Sequence, residues 1–375
     1  MNDKAKQKRE TPHRIEPGFS LYLDLVRVVA ALDVMIAHAQ LSKLIPPLPL
    51  ILDSAPTAVV VFFVLSGYII ESTTQGGSIR NYAIHRIARI YSVALPAVIL
   101  SLACIAGFAL AKGQAVTEDF ITEWGQWWRI PLVLAFRGED WFSEVELPWN
   151  GPFWSLHFEV AYYMIYGLLL LPGSKARTCA LILFCLLIGP KILLLFPCWW
   201  LGVELARRPS LRFPSRALAL AVLFATPLII AAMVHFKLGP EFRYALEERF
   251  AWYHLLGHAE PFPVRYVVAL LVGANFVAAR QLEGGLGRAF RKIGGFVRWI
   301  AGYTFSIYLF HRPLQHLAGQ FYTAQEGEIV PVALIQLGIL SAIFAIGSFT
   351  ERRTRQWRDV VARSFERRWT AKAAS

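Results

Sequence analysis

Charged residues are scarce in this chain of 375 residues. Aspartate, glutamate, lysine and arginine make up 17% of it, and hydrophobic residues make up 56%. An ordinary soluble domain has about 25% charged residues, so this balance favours a protein with many membrane-spanning segments. The net charge of +12 could suggest a nucleic-acid-binding protein. Lysine and arginine lie in short loops between apolar runs, however, and that distribution argues against nucleic acid as a partner.

Cysteine is also rare, and its pattern predicts no metal site. The four cysteines lie inside apolar runs without metal-like spacing, which predicts buried, inert thiols at Cys104, Cys179, Cys185 and Cys198. The basic N-terminal segment lacks an apolar core, so we expect no cleavable signal peptide. The sequence has no internal repeat and no soluble stretch long enough to fold alone.

The apolar runs predict an all-α membrane protein with about ten transmembrane helices and both termini in the cytoplasm. The predicted spans are residues 19–41, 54–73, 91–111, 152–172, 178–189, 191–205, 216–236, 264–280, 298–317 and 329–350. The fifth and sixth are short, and Pro190 could instead kink one long helix. Ten passes place most of the lysines and arginines on the inside, which favours two short passes over one.

Three regions follow from this topology. Residues 1–18 form a basic cytoplasmic segment, residues 19–350 the transmembrane domain, and residues 351–375 a basic amphipathic cytoplasmic tail. An apolar stripe every four residues predicts that the tail lies on the anionic leaflet, through Trp357, Val361, Phe365 and Trp369. The acidic loop 112–151 is either an interfacial aromatic belt or part of a sugar-binding surface, and its tryptophans are Trp124, Trp127, Trp128, Trp141 and Trp149.

The first span carries two polar residues on one face. Arg27 and His38 are eleven residues apart, which at about 100° per residue returns to nearly the same face, roughly 16 Å further along. A cation at bilayer depth costs about 2.5–3.5 kcal/mol, so it is rarely there without a reason. Asp24 is one turn before Arg27 and can pair with it. A structural ion pair beside a packed histidine is the alternative interpretation.

Further polar residues recur in later spans. Ser66 with Gly67 is either a helix-packing site or a place where a ligand approaches the backbone. Arg86 and Arg89 share a helical face and are either ordinary cytoplasmic anchors or a phosphate clamp. Intramembrane ionisable groups are functional candidates by default, here Glu159 and His311, whereas Arg312 can snorkel to the surface.

The predicted depths of these residues form two groups. The group towards the cytoplasm is Arg27, Ser66, Arg86 and Arg89, and the group towards the outside is His38, Glu159 and His311. The sequence therefore predicts a basic, phosphate-binding opening on the cytoplasmic side and an acid–base cluster towards the outside.

Five segments together resemble the acyltransferase 3 family of membrane acyltransferases, in a stand-alone form without a fused SGNH-type domain. They are Arg27 with ten residues before His38, Val61–Tyr68 (VFFVLSGY), Arg86–Tyr91 (RIARIY), Trp154–Glu159 (WSLHFE) and Tyr303–His311 (YTFSIYLFH). Each motif is weak alone, but five in order along residues 19 to about 350 are specific. The chain departs from the family pattern at Asp33, usually apolar, and at Phe310, often tryptophan, and His157 has no family role.

The resemblance implies an O-acyltransferase of the bacterial cytoplasmic (inner) membrane. The acyl group, most simply acetyl, would pass from acetyl-coenzyme A to a hydroxyl of an exopolysaccharide, lipopolysaccharide O-antigen or secreted oligosaccharide. It implies catalytic roles for His38, Arg27, Glu159 and His311, and donor-binding roles for Arg86, Arg89 and Ser66. No permanently bound cofactor is expected. The expected partners are acyl-coenzyme A, the glycan and the bilayer, with an oligomer or glycan-assembly proteins left open.

The mechanism and one alternative function stay open at this point. His38 acts either as general base on the sugar hydroxyl or as an acyl carrier, with Glu159 or His311 as base in the second route. The same charges would also suit a proton-coupled transporter or exporter of a glycan precursor. Against transport, the two halves of the chain show no matching pair of helices broken by Gly or Pro.

Overall fold

The apolar runs form a helical bundle. The computed structural model describes residues 15–46, 54–74, 78–113, 128–325 and 327–373, with side chains up to residue 366. About 80% of the described residues are helical, and none of them forms a strand. Trp124 and Trp127 of the acidic loop, most of the N-terminal segment and the side chains of Arg367, Arg368 and Trp369 lie outside the described part.

Fifteen α-helices are described in this part of the chain. In chain order they are α1 (Pro17–Leu41), α2 (Ala55–Thr74), α3 (Ile79–Ala111), α4 (Arg129–Leu134), α5 (Trp154–Leu170), α6 (Lys175–Ile188), α7 (Pro190–Arg207), α8 (Arg216–His235), α9 (Leu238–Arg249), α10 (Phe262–Gln281), α11 (Glu283–Ala289), α12 (Gly294–Ala301), α13 (Thr304–Gly319), α14 (Ile329–Phe349) and α15 (Thr354–Ala373). Short 3₁₀ turns precede α5, α10 and α15.

Several of these helices are long and apolar enough to cross a membrane. Among the described residues there are five, or six if the bent pair α6–α7 is one span. The chain is therefore a multi-pass membrane protein, whereas ten passes and cytoplasmic termini stay predictions. Ser66 on α2 and Arg86 and Arg89 on α3 lie on helices of this set, whereas the other three helices that carry site residues, α1, α5 and α13, are not in it for physical reasons. α5 and α13 have only 17 and 16 residues, and α1 contains Asp24, Arg27 and Asp33.

The helices differ from the sequence prediction in several places. α3 begins at Ile79 rather than near residue 91, because Ser78 caps it by accepting a hydrogen bond from the Asn81 N–H at 3.2 Å. The predicted span 298–317 is two helices, α12 and α13, interrupted at Gly302 and Tyr303. The polar helix α9 was not predicted, because it has no apolar run.

The junction between α6 and α7 is a sharp turn. Gly189 takes a φ of +80°, and the axes of the two helices bend by 117° there. The backbone N–H of Trp141 donates to the Ile188 carbonyl at 2.9 Å and so pairs the last carbonyl before the turn. The sequence left open one kinked helix or two short ones, and the structure has two.

The cysteine prediction is wrong at one position. Cys104 and Cys198 are buried as expected and Cys185 is half-buried, but Cys179 is exposed. It lies on α6, which packs against α5 and α7 and leaves Leu183 and Leu186 on its outer side as well. An apolar run cannot distinguish a position facing the bundle from one facing lipid, since both favour apolar residues.

Helices α2 and α7 touch through their backbones. A Cβ atom added at Gly67 would lie 2.0 Å from the Trp199 carbonyl oxygen, and one at Gly202 would lie 1.9 Å from the Val64 carbonyl oxygen. Glycine is required at both positions because any side chain would separate the helices. The packing interpretation of Gly67 is confirmed, and this contact places Ser66, the preceding residue, at the edge of α2 that faces the site.

We expect Gly67→Ala to destabilise the bundle, because overpacking a close contact typically costs about 1–3 kcal/mol. The measurement is the melting temperature of the purified protein in detergent, followed by size-exclusion chromatography. Gly107→Ala on α3 is the matched control, since a Cβ there meets no atom within 4 Å. Equal melting temperatures for the two variants would contradict the close α2–α7 contact.

Candidate active site

Five of the seven predicted site residues line one cavity. It has a volume of about 330 Å³ and lies among α1, α2, α3, α5 and α13. We call it the arginine cavity, defined by Arg27, Ser66, Arg86, Arg89 and Glu159. Exposed residues Thr73 and His85 lie at one end, and buried Ser155 and Tyr308 lie at the other. The cavity therefore runs from the protein surface into the bundle.

Two of its arginines keep unused hydrogen-bond donors. The Arg27 guanidinium donates to Asp24 at 2.5 Å, which confirms the predicted pair, but its Nε is buried without a partner in the described chain. Arg86 Nε is buried and unpartnered as well, and its guanidinium lies 5.8 Å from the centre of the Tyr163 ring. Buried unpaired donors are costly, so these two arginines are suited to an anionic ligand.

Arg89 contributes a third positive charge to the cavity. Its guanidinium lies 5.9 Å from the centre of the Phe305 ring at the start of α13. The carboxylate of Glu351 closes that helix end, accepting hydrogen bonds from the backbone N–H of Ser306 at 2.8 Å and of Phe305 at 3.4 Å. Sequence reasoning missed Glu351, because it belongs to no motif and is one of three acidic residues in the predicted basic tail.

The predicted depth of Glu159 is wrong. It was expected beside His38 and His311, but it lies with the arginines and accepts a hydrogen bond from Ser66 Oγ at 2.6 Å. The Tyr163 hydroxyl also donates to it. The reason is the crossing of α5 against α2, which brings Glu159 to Ser66 and which hydropathy along a single helix cannot reveal.

His38 lines a second, smaller cavity and contacts His311, which is not part of that lining. We call it the histidine cavity; it has a volume of about 220 Å³ and its walls include His38, Val34, Pro152 and Trp154. His311 is fully buried, and its Nε2 lies 3.2 Å from His38 Nδ1. The structure therefore brings together two histidines that are 273 residues apart in the chain.

The hydrogen bonds fix which ring nitrogens carry protons. His311 Nδ1 lies 2.8 Å from the Ile307 carbonyl, so it donates a proton there and leaves Nε2 as an acceptor. His38 Nδ1 lies 2.8 Å from the Val34 carbonyl, so its N–H is shared between that oxygen and His311 Nε2. His38 Nε2 is then the unprotonated nitrogen, and it has no hydrogen-bond partner in the described chain.

A thin wall separates the two cavities. Val59 and Tyr308 line both of them. The Tyr308 hydroxyl lies 2.7 Å from Ser155 Oγ and donates to the Pro152 carbonyl at 3.1 Å. Sequence reasoning missed Tyr308, although it lies three residues before His311 and so on nearly the same helix face. Its place in the late motif was the signal that could have found it.

The remaining polar positions have structural roles. Asp33 accepts a hydrogen bond from Ser54 at 2.9 Å and does not line the histidine cavity. Buried His157 accepts the Gly138 N–H at 2.7 Å, which ties the acidic loop to α5. Arg312 donates to Ser42 Oγ at 2.5 Å and lines neither cavity.

A comparison with known protein families covers the region that contains these motifs. A family model described as an acyltransferase domain matches residues 20–350, nearly the whole chain. Neither the curated proteins nor the solved structures that were searched contain a significant match. The family match covers α1 to α14, and so includes every residue of the two cavities. The chain therefore belongs to the acyltransferase 3 family, membrane acyltransferases that act on carbohydrates.

Proposed function

We propose that this acyltransferase moves an acyl group, most simply acetyl, from cytoplasmic acyl-coenzyme A to a hydroxyl of an extracytoplasmic or cell-surface glycan. The proposal rests on the Nε2 atom of His38, which is unprotonated and has no partner in the described chain. His38 lines the histidine cavity, which adjoins the arginine cavity. An imidazole held in this tautomer is a ready general base for a hydroxyl group.

The donor enters the arginine cavity with its phosphates at the mouth. Arg86 and Arg89 bind the phosphates there, since guanidinium forks match phosphate oxygens in geometry and charge. The acyl thioester extends past Ser66 and reaches Tyr308, with Arg27 beside the reacting end. The unpartnered Nε atoms of Arg27 and Arg86 support this orientation, because an anionic donor would satisfy them.

The transfer itself needs one base and one proton. The sugar hydroxyl oxygen attacks the thioester carbonyl carbon, and His38 Nε2 takes the hydroxyl proton. The new C–O bond forms, the C–S bond breaks, and His38 returns the proton to the departing thiolate. His311 stabilises the transient imidazolium, because its Nε2 accepts the Nδ1–H of His38. The products are the glycan ester and the free coenzyme A thiol.

Glu159 acts on the donor side in this scheme. Its carboxylate is bound by Ser66 and Tyr163 and lines the arginine cavity rather than the histidine cavity. The acyl-carrier route called for Glu159 or His311 as base, and of these two only His311 contacts His38. This geometry takes Glu159 out of the acyl-carrier route, and we propose direct transfer with His38 as base because it needs no acyl group on the protein.

Surface-glycan analysis tests the activity in cells. We expect a deletion strain to lose an ester-linked acyl group from its surface glycan, detected by mass spectrometry, and the wild-type gene to restore it. His38→Ala should restore at most about one hundredth of the acylation, since general bases contribute 10²–10⁴-fold. His235→Ala is the matched control, because His235 is exposed on α8 and lines neither cavity.

Two outcomes would contradict the proposal. Acylation at the wild-type level by a His38→Ala protein would show that His38 takes no part in the reaction. Accumulation of unexported glycan in the deletion strain, with normal acylation of what is exported, would indicate a transporter instead.

The donor orientation has its own test. Arg86→Gln should raise the KM for acetyl-coenzyme A roughly tenfold or more, because a hydrogen bond between charged groups is lost. The same variant should use S-acetyl-pantetheine, which has no phosphates, as well as the wild type does. Arg80→Gln is the control, since Arg80 is paired with Glu366 at 3.3 Å and lies outside the cavity. Equal losses with both donors would place Arg86 away from the phosphates.

A further inference from the structure

A third cavity adjoins the histidine cavity and includes none of the predicted site residues. Its volume is about 660 Å³, and it lies between the acidic loop, α9 and the start of α10. We call it the carboxylate cavity, defined by Glu144, Glu146, His258, Glu260 and Arg265. Its four carboxylates outnumber its three lysine and arginine side chains, which is the reverse of the arginine cavity.

Arg265 lines this cavity with unused donors. The residue is only 7% exposed, and its Nε and Nη1 atoms are buried without a hydrogen-bond partner in the described chain. Its guanidinium lies 5.6 Å from the centre of the Trp154 ring. Burying a guanidinium with unpaired N–H groups is costly, so a ligand that supplies oxygen acceptors would be stabilising here.

A buried ion pair fixes the position of His258, another residue that lines the cavity. Lys191 Nζ lies 2.6 Å from a Glu139 carboxylate oxygen, and both side chains are almost fully buried. His258 Nδ1 lies 3.2 Å from the other Glu139 oxygen, and the His258 ring stacks on Trp154 with centroids 4.3 Å apart. Burial raises the pKa of Glu139, but the hydrogen bond and charge of His258 and the charge of Lys191 outweigh it and leave that pKa below its usual range.

The carboxylate cavity adjoins the histidine cavity. Pro56 lines both the carboxylate cavity and the histidine cavity. Trp154 lines the histidine cavity, and its ring contacts His258 and Arg265 of the carboxylate cavity. Only the Trp154 ring would therefore separate a molecule bound to His258 and Arg265 from the histidine cavity.

We propose that the carboxylate cavity binds the acceptor, as a polyhydroxylated glycosyl unit whose reactive hydroxyl passes Pro56 and Trp154 to reach His38. This assignment rests on the proposed function. Sugar hydroxyls donate to the carboxylates of Glu144 and Glu146 and accept from Arg265. The excess of carboxylates repels the phosphates of the donor, so donor and acceptor are sorted by charge into cavities on either side of the histidine cavity.

The test measures the KM for each substrate separately. The purified full-length protein in lipid nanodiscs is given acetyl-coenzyme A and the surface glycan of the deletion strain, stripped of its acyl groups by mild base. Glu146→Gln and Arg265→Met should each raise the glycan KM roughly tenfold or more and leave the acetyl-coenzyme A KM unchanged. Glu146 is half exposed, so its variant keeps the test valid if Arg265→Met does not fold. Glu248→Gln on α9 is the matched control, since Glu248 is exposed and outside the cavity.

The outcomes separate this inference from the function on which it rests. Wild-type glycan KM values in both variants, with both proteins folded, would overturn the assignment. A rise in the acetyl-coenzyme A KM instead would overturn it too, because the cavity would then serve the donor. A wild-type protein that acylates no glycan would overturn the proposed function itself, and the acceptor site with it.

Discussion

The arrangement of the site depends on three hydrogen bonds between α1 and α13. Three residues within five positions of α13 each reach α1 or the residue that follows it, and the pairs are His311 to His38, Gln315 to the Met35 carbonyl and Arg312 to Ser42. Leaving a polar group unpaired inside an apolar bundle is costly, so these hydrogen bonds fix one register of α13 along α1. The register has a chemical consequence, because it occupies Nδ1 of His38 and leaves Nε2 without a partner in the described chain, on a residue that lines the histidine cavity.

Around this pair, three cavities follow one another through the protein. The arginine cavity and the histidine cavity share Val59 and Tyr308, and the histidine and carboxylate cavities share Pro56. Positive charge dominates the first cavity and carboxylates are in excess in the third. In the proposed reaction, this sequence allows a phosphorylated donor and a sugar acceptor to approach His38 from different sides. No step then requires the acyl group to travel on the protein.

Much of this site could be predicted from residues that are costly in a membrane. Arg27, His38 and Glu159 are conspicuous because each is an ionisable group within an apolar run. The spacing of Arg27 and His38 predicts that they share one face of α1, and the structure has them in two adjoining cavities. The depth of Glu159 was misjudged, because its position depends on how α5 crosses α2. Hydropathy describes one helix at a time and contains no information on crossings.

Sequence reasoning pointed to only one part of the carboxylate cavity, because the sugar-binding interpretation of the acidic loop covers Glu144 and Glu146 but none of the residues that face them. Its residues come from a loop, the polar helix α9 and the start of α10, and none of these forms a motif or an amphipathic pattern. Arg265 is the second residue of the predicted span 264–280, where a cation is typical of the membrane interface, and only the fold shows that it is buried without a partner in the described chain. Tyr308 could have been identified from the sequence, because its spacing of three residues from His311 puts both side chains on nearly the same face of a helix.

The central claim is that His38 moves a proton and does not carry the acyl group. The most direct measurement is rapid-quench mass spectrometry of the intact protein after mixing with isotopically labelled acetyl-coenzyme A in the absence of glycan. Turnover must be demonstrated in the same preparation once glycan is added. The account predicts no labelled protein before that addition. A labelled acetyl group on His38, formed at least as fast as turnover, would contradict it.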